Sequence, residues 1–176
     1  MELSIPDVKL FTPRRFSDNR GWFSETWNRK ILDIDFCQDN QSLSLEIGTV
    51  RGLHFQRPPF AQAKLVSVLK GRILDVAVDI RTASPTFGHH VAVELSADEG
   101  NQLFIPQGFA HGFCTLEPTT LVMYKVDDYY APDADAGIFW ADDALLIKWP
   151  VEPHQAHLSP KDAKLPRLGQ IISPFA

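Results

Sequence analysis

A histidine and a lysine stand in a part of the chain that otherwise has the pattern of a buried strand. The segment GTVRGLHFQRPPFAQAKLV, residues 48–66, places Arg51, His54 and Gln56 among apolar residues. Lys64 follows after a turn that contains proline. Because burying polar side chains costs free energy unless they are paired, the cluster is either a satisfied structural network or a functional site.

Two further segments carry polar groups that could face the same cavity. In IPQGFAHGF, His111 stands among glycines and aromatic residues, which indicates a backbone packed closely around a ligand or at a tight corner. In LVMYKVDDYY, strand alternation places Tyr124 on one face with Val122 and Val126. Each polar residue also has a structural explanation, since strand histidines and tyrosines are commonly hydrogen-bonded packing residues.

Histidine, lysine and tyrosine together suit proton abstraction next to a carbonyl group. A base removes the proton, a cation or hydrogen-bond donor holds the enolate oxygen, and an acid on the opposite side returns a proton with inverted configuration. This chemistry needs neither a metal ion nor an organic cofactor. We therefore interpret the three segments as a candidate acid–base site.

Other site chemistries lack their motifs. Metal-binding barrels typically use an HxH pair followed by glutamate, but this strand has HFQ, with Gln56 in place of a second imidazole. His89 and His90 would point to opposite faces of a strand, and the chain has no GxSxG elbow or glycine-rich phosphate loop. Cys37 and Cys114 are far apart and lack CxxC spacing, so we interpret both as small buried residues. No metal site is predicted.

Short apolar runs separated by turn signals predict an antiparallel sandwich or barrel. In RILDVAVDIR, Leu74 and the aliphatic residues at every second position share one face, while Asp75 and Asp79 share the other. Thirteen prolines argue against long helices, so only Glu25–Asp33 and a turn or two after Ser159 are expected to be helical. We predict an all-β, double-sheet jelly-roll barrel with a few short helices.

The composition fits one soluble domain. The chain has 176 residues, of which 44% are hydrophobic, and no repeat or linker divides residues 1–176. A net charge of −5 without a basic run argues against a nucleic-acid partner. No apolar stretch approaches the ~18 residues of a membrane span, and the N-terminus lacks signal-peptide features. We therefore expect a cytoplasmic protein without a membrane partner.

Several motifs follow one another along the chain: DNRGWFSETWN, CQDNQSLS, RGLHFQ, AQAKLV, DVAVDIR, SPTFG, IPQGFAHGF and YY. In this order they closely resemble the dTDP-4-dehydrorhamnose 3,5-epimerase family. The resemblance runs from about Phe11 to LSPKDAKLP, which is nearly the whole chain. It implies a cupin-like jelly-roll fold, a homodimer and no metal or organic cofactor. Members of this family epimerise C3 and C5 of dTDP-4-dehydro-6-deoxy-D-glucose on the way to dTDP-L-rhamnose.

The resemblance also implies four catalytic roles. His54 of RGLHFQ matches the base that abstracts the proton, and Asp162 of SPKDA matches the carboxylate that orients it and stabilises its imidazolium form. Lys64 of AQAKLV resembles the residue near the C4 oxygen that stabilises the enolate. Tyr124 of MYK resembles the acid on the opposite face.

Substrate-binding positions are implied in the same way. The resemblance implies that Arg20 and Glu25 of RGWFSE reach the nucleotide across the dimer interface, and it implies that Phe23 contacts the substrate. Tyr130 matches the ring that stacks on thymine, a use of an aromatic face that tolerates different bases. The remaining positions that match substrate contacts are Gln38, Asp39, Asn40, Arg51, His111, Asp135 and Lys161.

Three positions depart from the family pattern. Asp135 stands where many members have glutamate, so a contact there is expected to be longer or lost. Ser67 replaces a common arginine, and His90 stands where an aromatic residue is common. These differences bear on affinity or on the exact sugar, because the His, Lys, Tyr and Asp set is intact.

Two other functions remain open. One is a relative that epimerises a single centre of a related dTDP-4-keto-6-deoxysugar, and the other is a sugar-nucleotide-binding barrel without catalysis. Tyr124 favours two centres, and its pairing with His54 weighs against a mere binding protein.

Overall fold

The computed structural model describes residues 3–176, in which most of the regular structure is β-strand. The strands of this part of the chain are β1 (Lys9–Phe11), β2 (Arg15–Asp18), β3 (Gly21–Ser24), β4 (Gln38–Ser44), β5 (Val50–Gln56), β6 (Lys64–Lys70), β7 (Arg72–Asp79), β8 (His90–Ser96), β9 (Gln102–Ile105), β10 (Phe109–Thr115), β11 (Thr120–Val126) and β12 (Asp135–Gly137). Single-turn 3₁₀ helices span Pro132–Ala134, Asp143–Leu145, Asp162–Lys164 and Leu168–Gln170.

Two five-stranded sheets form the body of the fold. Their strand orders are β1-β9-β6-β11-β4 and β12-β5-β10-β7-β8, and all pairings within them are antiparallel. Strands β2 and β3 form a separate hairpin. The predicted all-β jelly roll is confirmed.

The main core lies between the two sheets. Val66 of β6, Ala77 of β7, Phe113 of β10 and Val122 of β11 belong to one buried cluster. Side chains alternate along a strand, so the residue two positions away from each of these shares its face. The residues placed on the interior face in this way are Lys64, Asp75, His111 and Tyr124.

The opposite face of β7 is buried as well. Val76, Val78 and Ile80 pack in a second cluster, which includes partly buried residues of the C-terminal segment such as Phe175. Both faces of β7 are therefore covered. Asp75 shares the interior face with Ala77 and is completely buried.

The helix predicted over Glu25–Asp33 is absent, because this segment folds as turns. Oδ1 of Asn28 accepts hydrogen bonds from the backbone N–H groups of Lys30 and Ile31, at 2.8 and 3.1 Å. An asparagine side chain that bonds the backbone in this way competes with the helical pattern. The helix prediction was wrong because the sequence of ETWNRKILD alone does not reveal this local competition.

Two smaller predictions have different outcomes. The helical turn expected after Ser159 is present as Asp162–Lys164. The expectation that both cysteines are buried holds for Cys114 but is wrong for Cys37, which is exposed just before β4. No helix within the described range 3–176 has the length and apolar character needed to cross a membrane.

Candidate active site

Strands β5 and β10 approach each other closely at two glycines. A Cβ on Gly52, whose φ is +119°, would lie 2.6 Å from the Cα of Gly112, and a Cβ on Gly112 would lie 2.6 Å from the carbonyl oxygen of Arg51. No larger residue fits at that spacing. The glycine beside His111 thus serves the contact between strands, and it brings His111 directly opposite His54.

His54 is bonded to a carboxylate that lies far away in the sequence. Its Nε2 is 2.6 Å from Oδ1 of Asp162, across a separation of 108 residues. Burial acts to raise the pKa of Asp162, but hydrogen bonds from His54, Ser159 and the backbone of Gly52 hold this pKa below its usual range. A carboxylate beside Nε2 retains the ring proton there, so Nδ1 is the nitrogen that can accept a proton.

A second histidine–aspartate pair lies beside the first. Nε2 of His111 is 2.7 Å from Oδ1 of Asp75, and both side chains are buried. Burial lowers the pKa of His111 and outweighs the Asp75 carboxylate, which acts to raise it. His111 is therefore a neutral imidazole at neutral pH.

Lys64 begins β6 and points into the same interior. Burial lowers its pKa to about 8, while the carboxylates of Asp75 and Asp135 act in the opposite direction. None of the salt bridges within residues 3–176 includes Lys64. Its ammonium group is thus available to a negatively charged or polar ligand atom.

Tyr124 projects from β11 and packs against the core. Burial raises the pKa of its hydroxyl, the charge of Arg51 opposes this, and Asp135 and Tyr130 add to the increase. The hydroxyl is therefore protonated at neutral pH and can donate a proton.

These side chains line two adjoining cavities, which we call the cleft. Both cavities are lined by His54, Lys64, Tyr124 and Lys161, and their volumes are about 260 and about 250 Å³. The first cavity is also lined by Gln38, Asn40, Phe55, Gln56, Gln62, Tyr130 and Asp135. The second is also lined by Ser42, Arg51, His111, Phe113, Ser159 and Asp162.

Comparison with known proteins identifies the family. A sequence model described as dTDP-4-dehydrorhamnose 3,5-epimerase matches residues 2–170. A dTDP-4-dehydrorhamnose 3,5-epimerase from Sinorhizobium fredii is 51% identical over 178 residues, covering 98% of this chain and 91% of the relative. The chain belongs to the dTDP-4-dehydrorhamnose 3,5-epimerase family.

Solved structures of the family and its neighbours share the fold. A dTDP-6-deoxy-D-glucose-3,5-epimerase from Legionella pneumophila, in complex with dTDP-4-keto-L-rhamnose, has a TM-score of 0.90 at 44% identity and covers 96% of this chain and 92% of that one. A 3'-monoepimerase from Streptomyces bikiniensis, in complex with dTDP-quinovose, has a TM-score of 0.87 at 31% identity, with coverages of 95% and 86%. Fold similarity therefore does not distinguish double from single epimerases.

The structure brings most residues implied by the epimerase resemblance into the cleft, but the side chain of Asp39 does not line it. Along β4, Gln38 and Asn40 face inward, so alternation turns Asp39 outward. Its carboxylate forms an ion pair with Lys125 at 3.0 Å. A substrate contact of Asp39 stays a prediction.

Arg20, Phe23 and Glu25 also lie outside the cleft of their own chain. Arg20 pairs with Asp18 at the tip of the β2–β3 hairpin, and the Phe23 side chain is exposed. Glu25 lines a separate cavity of about 360 Å³ on the outer side of the fold. The resemblance implies a contact with the nucleotide across a dimer interface for Arg20 and Glu25 and a substrate contact for Phe23, and these stay predictions.

Asp135, the shorter side chain found in place of glutamate, still reaches two neighbours at the mouth of the cleft. Its Oδ2 accepts a hydrogen bond from the Tyr130 hydroxyl at 3.1 Å and forms an ion pair with Lys161. Burial acts to lower the pKa of Lys161, but the hydrogen bond and charge of Asp135 raise it above its usual value. The loop after β11, strand β12 and the segment before Asp162 are thereby tied together.

The other two departures lie outside the cleft. Ser67 is on the outer face of β6, where its hydroxyl accepts a hydrogen bond from Gln102 at 2.8 Å. His90 begins the edge strand β8, where burial lowers its pKa and the backbone of Leu145 opposes this. Neither side chain lines the cavities that hold His54.

Among the residues in or beside the cleft that were not predicted as site residues, Gln56 lines it and Asp75 lies next to it, bonded to His111. Asp75 is buried and bonds His111. The sequence feature that could have identified it is a carboxylate in the middle of an aliphatic strand. Gln56 donates to the carbonyl oxygens of Phe60 and Tyr129 at 2.7 and 3.1 Å, which fixes the loop before Tyr130. The sequence feature that could have identified Gln56 is that it shares a strand face with His54.

In the described part of the chain, no group of His, Cys, Asp or Glu side chains is arranged to hold a metal ion.

Proposed function

We propose that this chain epimerises C3 and C5 of dTDP-4-dehydro-6-deoxy-D-glucose on the way to dTDP-L-rhamnose, without a metal or organic cofactor. The observation that carries the proposal is that His54, Lys64 and Tyr124 line the same cleft, with His54 bonded to a buried carboxylate. Membership of the epimerase family supports the reaction. Residues 1–176 would act as one catalytic domain.

His54 is the proposed base. Its Nδ1 takes the proton from the carbon next to the C4 ketone, and Asp162 at Nε2 stabilises the imidazolium that results. A positioned base of this kind contributes ~10²–10⁴-fold to the rate. Asp162 is itself held locally, because its backbone N–H donates a hydrogen bond to Oγ of Ser159 at 3.0 Å.

Lys64 is the proposed enolate stabiliser. Removal of the proton moves negative charge onto the C4 oxygen, and an ammonium group nearby stabilises that charge more strongly than it stabilises the neutral ketone. One such donor is worth ~10²–10³ in kcat by analogy with oxyanion holes. The lack of a salt-bridge partner for Lys64 within the described residues supports this role.

Tyr124 is the proposed acid. Its protonated hydroxyl donates to the enolate carbon on the face opposite His54, which inverts the configuration, and the sequence of steps repeats at the second carbon. Exchange with solvent then returns a proton to the phenolate and removes one from the imidazolium. The shared cleft supports a sugar ring lying between the two side chains.

Cations and amides of the cleft suit a nucleotide diphosphate. Arg51 and Lys161 supply positive charge, Gln38 and Asn40 supply amide donors, and Tyr130 offers an aromatic face for thymine. These cations explain how a chain with a net charge of −5 binds an anionic substrate. Binding energy from the dTDP group positions the keto sugar for reaction.

A homodimer completes the proposed site. Phe16, Trp22 and Phe23 on the β2–β3 hairpin and Leu43 on β4 expose large apolar side chains. Exposed apolar side chains grouped in this way favour a protein interface. In the dimer, Arg20, Phe23 and Glu25 would reach the nucleotide bound by the partner chain. The cytoplasm is the proposed compartment, which fits the free thiols of Cys37 and Cys114.

One experiment separates the candidate functions. The protein is incubated with dTDP-4-dehydro-6-deoxyglucose in deuterated water, and NMR follows deuterium and configuration at C3 and C5. A double epimerase incorporates deuterium and inverts both centres, a single epimerase inverts one, and a binding protein shows neither. Absence of deuterium at both carbons would remove the proposed function.

A further inference from the structure

Asp75 is a buried carboxylate that uses only one of its two oxygens in hydrogen bonding. Its Oδ1 bonds His111, but Oδ2 has no partner among the described residues. The side chain has no solvent exposure. A buried carboxylate oxygen without a partner is unfavourable, so its presence directly beneath a residue that lines the cleft calls for a physical explanation.

Lys64 is the complementary group on the facing sheet. Val66, two residues from Lys64, and Ala77, two residues from Asp75, belong to the same core cluster between the sheets. Lys64 and Asp75 therefore face each other across the interior. Among the charges that act to keep Lys64 protonated, Asp75 has the largest effect.

The other carboxylates near Lys64 are bonded to groups that are charged or become charged in the reaction. Asp162 bonds the base His54, and Asp135 pairs with Lys161. Asp75 differs because its only side-chain partner among the described residues is His111, which is neutral, and it forms no ion pair with a lysine or arginine there. The titratable groups around the Lys64 ammonium are Arg51, His54, Asp75, His111, Tyr124, Tyr130, Asp135, Lys161 and Asp162.

We propose that Asp75 is a positioning residue for epimerisation, which fixes the His111 ring with one oxygen and maintains the charge of Lys64 with the field of the whole carboxylate. The inference rests on the proposed function, because Lys64 must be cationic to stabilise an enolate at C4. Asp75 acts through these two residues and does not touch the substrate. Since its Oδ1 binds Nε2 of His111, Nδ1 of that ring is an acceptor suited to a sugar hydroxyl.

The substitution Asp75→Asn tests the charge while preserving the shape. Its amide oxygen still accepts a hydrogen bond from His111, but the field that favours the Lys64 ammonium is lost. We expect the basic limb of the kcat–pH profile to move by about one pH unit or more toward acid, so that kcat above pH 8 falls ~tenfold. KM should change little, and deuterium exchange at C3 and C5 should slow together. Asp75→Glu, which keeps the charge, should retain the basic limb near its original position.

Asp79→Asn is the matched control. Asp79 is also a buried carboxylate of β7, but it bonds Arg81, Ser84 and Thr86 away from the cleft. Its loss should lower the melting temperature and leave the pH profile in place. If Asp75→Asn likewise lowers only the stability, with the basic limb unmoved, Asp75 is a structural residue and the inference is overturned.

A measurement on the unsubstituted chain covers the case in which changes at position 75 prevent folding. With aspartate labelled at the side-chain carboxyl carbon, NMR should show one buried aspartate signal that shifts as the Lys64 ammonium titrates. That shift should disappear in Lys64→Met. If no aspartate signal follows Lys64, the coupling does not exist. This titration needs no substrate, so its outcome does not depend on the proposed function. The proposed function fails in a different experiment, if the wild-type chain exchanges no deuterium.

Discussion

His54 and His111 lie directly opposite each other on β5 and β10, and each bonds a buried aspartate through Nε2. The side chain of His54 is 31% exposed, whereas that of His111 is 7% exposed. The same pairing thus gives one imidazole that is partly accessible from the cleft and one that is held neutral below it. This difference leads to distinct expectations for the two rings.

Replacing the accessible imidazole should remove the chemistry. His54→Asn is expected to abolish deuterium exchange at both C3 and C5 and to reduce kcat by at least ~10²–10⁴-fold, because the base is lost while the shape of the side chain is largely kept. His89→Asn, an exposed histidine outside the cleft, is the control and should behave as wild type. Normal exchange in His54→Asn would exclude His54 as the base.

The acid can be separated from the base by stereochemistry. In Tyr124→Phe, His54 can still remove protons, so exchange with deuterated water should persist. Net inversion should be impaired at one carbon or both, because the hydroxyl that returns the proton on the opposite face is missing. NMR of the product measures both quantities in one sample. Tyr129→Phe, at an exposed neighbouring tyrosine, should leave the products unchanged. Wild-type stereochemistry in Tyr124→Phe would contradict its role as the acid.

Because Lys64 lies in the cleft, we expect the reaction rate to fall at basic pH. Because burial lowers the pKa of Lys64 to about 8, the ammonium is present below that pH and is lost as the pH rises through it. Enolate stabilisation should therefore decline above about pH 8. In Lys64→Arg the cation persists at all accessible pH values, so any residual activity should lack this limb. A wild-type rate that stays constant up to pH 10 would argue against a charged Lys64 in catalysis.

The network around Asp79 predicts an acid-sensitive contribution to stability. Burial acts to raise the pKa of Asp79, but hydrogen bonds from Arg81, Ser84 and Thr86 lower it to about 2. A carboxyl whose pKa is lower in the folded than in the unfolded chain stabilises the fold above its unfolded pKa, and this contribution is lost as the pH falls from about 4 to about 2. The shift corresponds to about 2 kcal/mol of unfolding free energy at pH 7. Denaturant titrations of Asp79→Asn and wild type should differ at pH 7 and converge near pH 2.

The dimer can be tested by complementation between two inactive variants. If Arg20 and Phe23 act in the partner's site, a mixed dimer of Arg20→Ala,Phe23→Ala and His54→Asn chains contains one intact site. Random pairing should then restore about a quarter of wild-type activity, since half of the dimers are mixed and each has one working site of two. If the hairpin serves its own chain, the mixture stays inactive. Sedimentation velocity on the same samples establishes whether dimers form.

Strand alternation and turn residues determined much of this protein at the level of the sequence. The aliphatic period of β7 and the separated motifs around His54, Lys64 and Tyr124 predicted the all-β class and the candidate residues, because these patterns depend on local geometry. The helix expected over Glu25–Asp33 failed for a local reason as well, since Asn28 bonds the backbone of the turn.

Only the tertiary structure decided which side chains meet. Asp162 reaches His54 across 108 residues, and Asp75 lies under His111 because β7 and β10 pair in a register that no single strand encodes. The same folding turned Asp39 outward and left Arg20 and Phe23 on an exposed hairpin. Burial, charge and distance between the two sheets are properties of the assembled strands, and they set the protonation of Lys64 and His111 on which the proposed chemistry depends.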